Sequence, residues 1–335
     1  MSIEAPTSTP VELPAVTRRR LRSLLSAEEV TELTARSDWR GFWAIAVSWA
    51  TIAASFAMVA LWPGVLTVLL ALPLLAGRQL ALAILQHEAA HGTLFRTRGM
   101  NDFFGDWFCA RPVWQQMHKY RAHHLVHHTR TGTELDPDMS LHAGYPTTAA
   151  SLRRKMLRDL SGYTGIKLML GLLLMDAGVL KWTVANNIEK LPQDGRRWWN
   201  YPLDFLRNAG GMLATNLLLA GILAASGHAW LYALWVLAYV TPFPLFVRIR
   251  SIAEHGMLPR VQDMFQNTRT TRARAWQRLF FAPMNVNYHQ EHHAMASVPY
   301  YRLPQLHALL RERGESVEPP GYGEVLRLAA TPAQS

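Results

Sequence analysis

A single cysteine, Cys109, is all the thiol chemistry this 335-residue chain possesses. No intrachain disulfide can form and no cysteine pair can hold a metal, so any metal must sit on histidine or carboxylate. Acidic residues are also scarce: 24 Asp and Glu against 34 Lys and Arg leave a formal charge of +10. A basic excess can serve nucleic acid, an anionic membrane surface or an acidic partner. No nucleic-acid recognition motif accompanies the charge, and no nucleic-acid partner is expected. Charge itself is missing from Phe42 to Trp62, and from Val65 to Leu85 except at Arg78. No short apolar run follows the polar, proline-containing stretch Met1 to Pro14, so no cleaved signal peptide is expected.

What is present is segregated. Half the residues are hydrophobic, concentrated in Phe42–Leu85 and Ala209–Val247. A soluble core would not be collected into blocks of this kind, whereas membrane spans are. The expectation is an all-α integral membrane protein with four transmembrane helices in two hairpins, at about 42–62, 65–85, 210–226 and 230–247. The turns are Pro63-Gly64 and Gly227-His228-Ala229, and neither carries Lys or Arg. Residues 1–41, 86–208 and 248–335 hold nearly all the basic residues, including Arg18, Arg19, Arg20 and Arg22. The positive-inside rule then places both termini and the middle segment in the cytosol. Ending the second span at Arg78 would leave it short of the ~20 residues a crossing helix needs. The helix is therefore expected to continue, with Arg78 snorkelling at the interface. Leu168–Leu180 is apolar but short, and reads as interfacial or buried. The domain reading is a polar, basic N-terminal segment (1–41), a membrane domain (42–310) and a C-terminal tail (311–335).

Nine of the fourteen histidines fall into groups with ligand-like spacing. They are His87 and His91 in HEAAH, His124, His127 and His128 in HLVHH, His289, His292 and His293 in HQEHH, and a lone His255. Positions i, i+3 and i+4 share one helix face, so each box can aim its imidazoles at one centre. A lone HxxxH is as easily a pair of hydrogen-bonded structural histidines. Two HxxHH boxes beside it, all in segments expected on one side of the membrane, are not explained that way. Imidazole suits iron, copper, zinc and nickel, and nine are too many for one ion but fit two. Two redox metals at a membrane suit dioxygen chemistry on an apolar substrate, because saturated chains offer no handle for acid–base attack.

In order, gaps and neighbouring residues, these boxes resemble the membrane fatty acid desaturase and hydroxylase superfamily. Its pattern is HxxxH, HxxHH and HxxHH, with a further histidine before the last box, matched here by His255. Tyr120-Arg121, Thr131-Gly132-Thr133, Asp136-Pro137-Asp138, Asn287-Tyr288, Val298-Pro299 and Leu303-Pro304-Gln305-Leu306-His307 are similar too. The glycine-threonine and DPD surroundings also look like those of carotenoid ketolases. The resemblance covers roughly residues 40–310. It implies a four-span helical domain with a cytosolic, histidine-lined cap, in which all nine histidines bind two iron ions. It implies an O2-dependent oxidoreductase that introduces a double bond into a fatty acyl or lipid-like chain. Hydroxylation, ketolation and oxidative decarboxylation share the same ligands. Electrons must come from a separate donor, ferredoxin or cytochrome b5-like, since the chain carries no haem, flavin or iron–sulfur motif. Arg269, Arg272, Arg274 and Arg278 are candidates to dock it.

His118, His123, His142, His228 and His307 lie outside the ligand spacings. Glu254, Glu291, Asp136 and Asp138 are candidates to orient ligand imidazoles. Asn285 and Asn287 could hold a water or cap a helix. A rival reading from another class is a membrane zinc protease, because HEAAH also satisfies HExxH with Glu88 as general base. It leaves both HxxHH boxes and His255 without a role. A metal channel or transporter would need ionisable residues deep in the spans, which are nearly free of them.

Overall fold

A computed structural model describes residues 15–185 and 187–332. The expectation about a signal peptide falls on Met1–Pro14 and so lies outside the described residues. Among the described residues the secondary structure is helical, with only isolated β-bridges, and four helical stretches are long and apolar enough to cross a membrane.

The first long helix, Asp38–Leu61, starts at Ser37, whose hydroxyl accepts the Arg40 N–H, and stops before Pro63. The second, Val65–Ala90, packs along it. At 26 residues it is about 39 Å long from the 1.5 Å rise, more than the ~30 Å hydrocarbon layer. That surplus carries His87 and His91 beyond an apolar slab rather than into it. Arg78 corrects the sequence reading. It is buried at 6% exposure and does not snorkel; its Nη2 donates to the Leu279 carbonyl at 2.6 Å. Gly77 makes this possible, because a Cβ there would lie 2.6 Å from that same carbonyl oxygen. The Ala275–Phe280 helix can therefore press against the second helix and neutralise an otherwise costly buried donor.

The third long helix, Asn200–Ala225, begins ten residues before the apolar run and is largely exposed along its length. The fourth, Leu231–His255, breaks at Thr241, where Pro242 and Pro244 lack the N–H groups that a continuous helix would use. It resumes as Pro242–His255 and ends on His255. The Tyr163–Asp176 helix, which overlaps the Leu168–Leu180 run read as interfacial or buried, has 14 residues and leaves Tyr163, Ile166, Leu170 and Leu174 exposed.

The first and last described segments pack onto the body. Arg20 pairs with Glu315 and stacks over Phe265, while Leu21, Leu25 and Leu33 join Val298, Leu306 and Leu310 in one apolar cluster. Residues 311–335, read from the sequence as a tail, contain the Tyr322–Ala329 helix. Its Tyr322, Val325 and Ala329 are buried, and Tyr322 meets Phe281 edge-on at 4.9 Å. The i, i+3, i+7 buried face of this short amphipathic helix packs against the Pro242–His255 helix.

Candidate metal centre

The three boxes occupy three short helical faces. His87 lies in the last turn of Val65–Ala90 and His91 caps it, its N–H donating to the His87 carbonyl. His124, His127 and His128 lie on one side of Met117–Arg130. His289, His292 and His293 lie on the six-residue helix His289–Ala294, buried except for Gln290, with Ala294 in the apolar cluster that holds Leu21, Leu25 and Leu33.

These faces and the end of the fourth long helix meet. One group comprises His87, His91, His124, His128 and His292, and a second His127, His255 and His293. His289 joins His255 and Glu254 in a third, overlapping group. Within each group one ligand atom per residue lies within 4.8 Å of the others. Pairs of Nε2 atoms face one another directly: His91 and His124 at 3.0 Å, His128 and His292 at 3.1 Å, His255 and His289 at 2.8 Å. Two nitrogens at ~2.1 Å from one ion, set at right angles, would stand about 3 Å apart. The His128 and His293 rings stack at 4.1 Å, so the two main groups adjoin.

The donor set fits metal ions. Both nitrogens of His293, and Nδ1 of His87, His128, His289 and His292, are buried with no hydrogen-bond partner among the described residues. An imidazole buried that way forfeits its hydrogen bonds unless a cation takes a lone pair. Burial, followed by the neighbouring imidazoles, holds His124, His128, His292 and His293 well below the usual histidine range. They are therefore neutral, the form that ligates. His127 goes the other way: burial lowers it, but Asp138 and Asp136 more than offset this.

The carboxylates divide by what they touch. His127 Nδ1–H donates to Asp136 at 2.8 Å, which turns its Nε2 lone pair toward the second group. His123 donates to Asp138 at 2.7 Å and so stands outside both groups, as its position one residue before His124 implies. Glu254 accepts from Arg250 Nε at 2.9 Å and lies 3.7 Å from His289 Nδ1. Glu291 accepts from His307 Nδ1 at 2.6 Å and from the Thr270 hydroxyl, and no ligand-group imidazole bonds to it. Asn285 and Asn287 donate to the Tyr300 and Thr271 carbonyls, bracing backbone. Arg269, a candidate for docking a partner, instead bonds the Ala253 and Gly256 carbonyls and is part-buried.

Glu88 is split between the first box and its surroundings: Oε1 lies 3.5 Å from His87 Nδ1. Its Oε2 accepts from the Thr93 hydroxyl at 2.8 Å and the Tyr300 N–H at 3.0 Å, tying the first box to a distant loop. Three residues of the centre had no site role in the sequence reading, which names Tyr120 only in the resemblance and His142 only as outside the ligand spacings. Tyr120 stacks on His124, with ring centroids 5.2 Å apart; His142 lies 5.1 Å from His255; and Arg250 grips Glu254. The i, i+4 spacings Tyr120–His124 and Arg250–Glu254 were the available signals.

A family model described as fatty acid desaturase matches residues 60–320. The chain is similar to the dihydrorhizobitoxine desaturase of Bradyrhizobium elkanii, 26% identical over 266 residues that cover 76% of this chain and 69% of that protein.

Proposed function

The chain belongs to the fatty acid desaturase family, and we propose that it is a membrane-bound diiron enzyme that uses O2 to introduce a double bond into a fatty acyl or lipid-like chain. The observation that carries the reading is the convergence of nine imidazoles into adjoining groups of five and three, the latter extended by His289. His87, His91, His124, His128 and His292 would hold one iron; His127, His255, His289 and His293 would hold the other. When bound, the irons supply an oxidant strong enough for C–H bonds that no acid or base can break. The overall reaction removes one hydrogen from each of two neighbouring carbons. It consumes one O2, two electrons and two protons, and yields the alkene and two waters.

The protein's own groups prepare this. Asp136 fixes the tautomer and direction of His127. Burial in the packed boxes holds His124, His128, His292 and His293 neutral. A one-electron donor protein, ferredoxin or cytochrome b5-like, supplies the reducing equivalents. Both termini and the centre face the cytosol in this reading. In its favour, His87 and His91 end one long helix and His255 ends another, so the same ends of two crossing helices meet there.

Protein purified in detergent with iron supplied should carry close to two irons per chain. With a reductant it should give an O2-dependent product lighter by two hydrogens. One zinc per chain with no iron uptake would sink the diiron reading. A product heavier by one oxygen would replace desaturation by hydroxylation.

A further inference from the structure

The cavity between the imidazole groups has poor chemistry for a bare hydrocarbon. It holds about 40 Å³, and Tyr120, Asp138, Leu141, His142, Arg250 and Glu254 line it beside histidines of both groups. Leu141 is the sole aliphatic lining residue. A second cavity, of about 100 Å³, shares His142 and His255 with the first and runs past Tyr145 and Arg260. Together they are well under the ~300 Å³ at which pockets for drug-sized ligands begin.

Two donors in the first cavity lack acceptors. Arg250 spends Nε on Glu254 at 2.9 Å, but Nη1 and Nη2 make no hydrogen bond among the described residues. Its side chain is 21% exposed and lines the cavity. The Tyr120 hydroxyl, on a ring held flat against His124, also has no hydrogen-bond partner among the described residues. A guanidinium fixed by one nitrogen, with its outer edge open, matches the two oxygens of a carboxylate.

We propose that the substrate is a free carboxylic acid, bound through its carboxylate by Arg250 and Tyr120, with the reacting carbons only a few bonds from the acid group. This rests on the desaturase reading and deepens it. Ester- and thioester-linked chains bring no charge to Arg250, and their carriers exceed the space beside it. The small adjoining cavity receives the rest of a short chain.

Hexanoate and methyl hexanoate, titrated calorimetrically into the iron-loaded protein in detergent, make the test. Wild type should bind hexanoate at least tenfold more tightly than the ester. Arg250→Gln should erase the preference, and Tyr120→Phe should weaken hexanoate binding several-fold with iron content unchanged. Equal affinity for acid and ester in the wild type would overturn the proposal. So would acid binding that Arg250→Gln leaves intact, since the acid would then be held by metal alone. If Arg250→Gln loses its iron, the wild-type comparison and Tyr120→Phe still decide. Acid-selective binding with no dehydrogenated product from any chain would leave the anchor standing and remove the desaturase reading. Desaturation of an ester or thioester without acid preference would do the reverse.

Discussion

The two imidazole groups adjoin through one stacked ring pair, yet their surroundings differ. The five-histidine group is seated against apolar side chains: Leu85, Ala89, Leu94 and Phe95 are buried around the first box. Three of its imidazoles, His87, His128 and His292, leave Nδ1 without a partner among the described residues. The other group, His127, His255, His289 and His293, is ringed by Asp136, Asp138, Glu254, Arg250 and His142. Ion charge in the first place meets imidazole and one carboxylate edge, Glu88 Oε1, 3.5 Å from His87 Nδ1. In the second it meets carboxylates and opens on a polar cavity. In the proposed reading the first group serves as the holder, and the second is where charge, protons and the polar end of a substrate are handled.

The largest effect should come from removing an imidazole from either group, because the proposed diiron reaction needs both irons. His124→Ala and His293→Ala should each abolish turnover. Metal content should tell the two groups apart: His124→Ala should lower iron to about one per chain, since its group is emptied alone. His293→Ala, whose ring stacks on His128 at 4.1 Å, should disturb both sites and lower iron further. Equal iron loss in the two variants would remove the asymmetry.

A smaller effect separates two carboxylates that look alike in sequence. Asp136 touches a ligand-group imidazole directly, whereas Glu291 is occupied by His307 and Thr270. Asp136→Asn should weaken metal retention by ~10–100-fold, read as the chelator concentration that strips half the iron. Glu291→Gln should leave retention within a few-fold and instead lower the melting temperature, because it loosens the helix carrying the third box from Leu303–Glu312. Parity between the two would mean that direct contact with the imidazole does not matter.

The parts legible from sequence are those set by local spacing. The four apolar runs each lie within or largely overlap a long helix, because hydropathy and helix length are local properties. The i, i+3, i+4 histidines share faces because helix geometry requires it. What escaped depends on contacts distant along the chain. Arg78 reads as a snorkelling charge until Leu279, 201 residues later, supplies a carbonyl at Gly77's open face. Glu291 sits inside the third box and reads as an imidazole partner, but His307, sixteen residues on, claims it. Residues 311–335 read as a tail because a single amphipathic turn or two carries little signal alone, yet Tyr322 finds a buried place.

The smallest effect concerns His142 and His228, which sequence spacing places together as non-ligands whose loss should leave most activity. The structure sets them apart. His228 lies half-buried in the turn after Ala225, with Nδ1 against the Ser226 carbonyl at 2.7 Å, far in the chain from any box. His142 lines both cavities, with its ring 5.1 Å from His255 and a buried Nε2 3.8 Å from the Asp136 carboxylate. Asp136 is held well below the usual carboxylate range; burial alone would raise it, but His127 and His142 together outweigh that. Removing His142 therefore takes away part of what keeps Asp136 ionised and aimed at His127. His142→Ala should lower kcat/KM by up to about tenfold, which corresponds to ~1.4 kcal/mol of transition-state stabilisation, with iron still near two per chain. His228→Ala should match wild type in both measurements. If the two variants behave alike, the polar ring around the second group contributes nothing to turnover, and the proposed division between a holder and a working site fails at its most sensitive point.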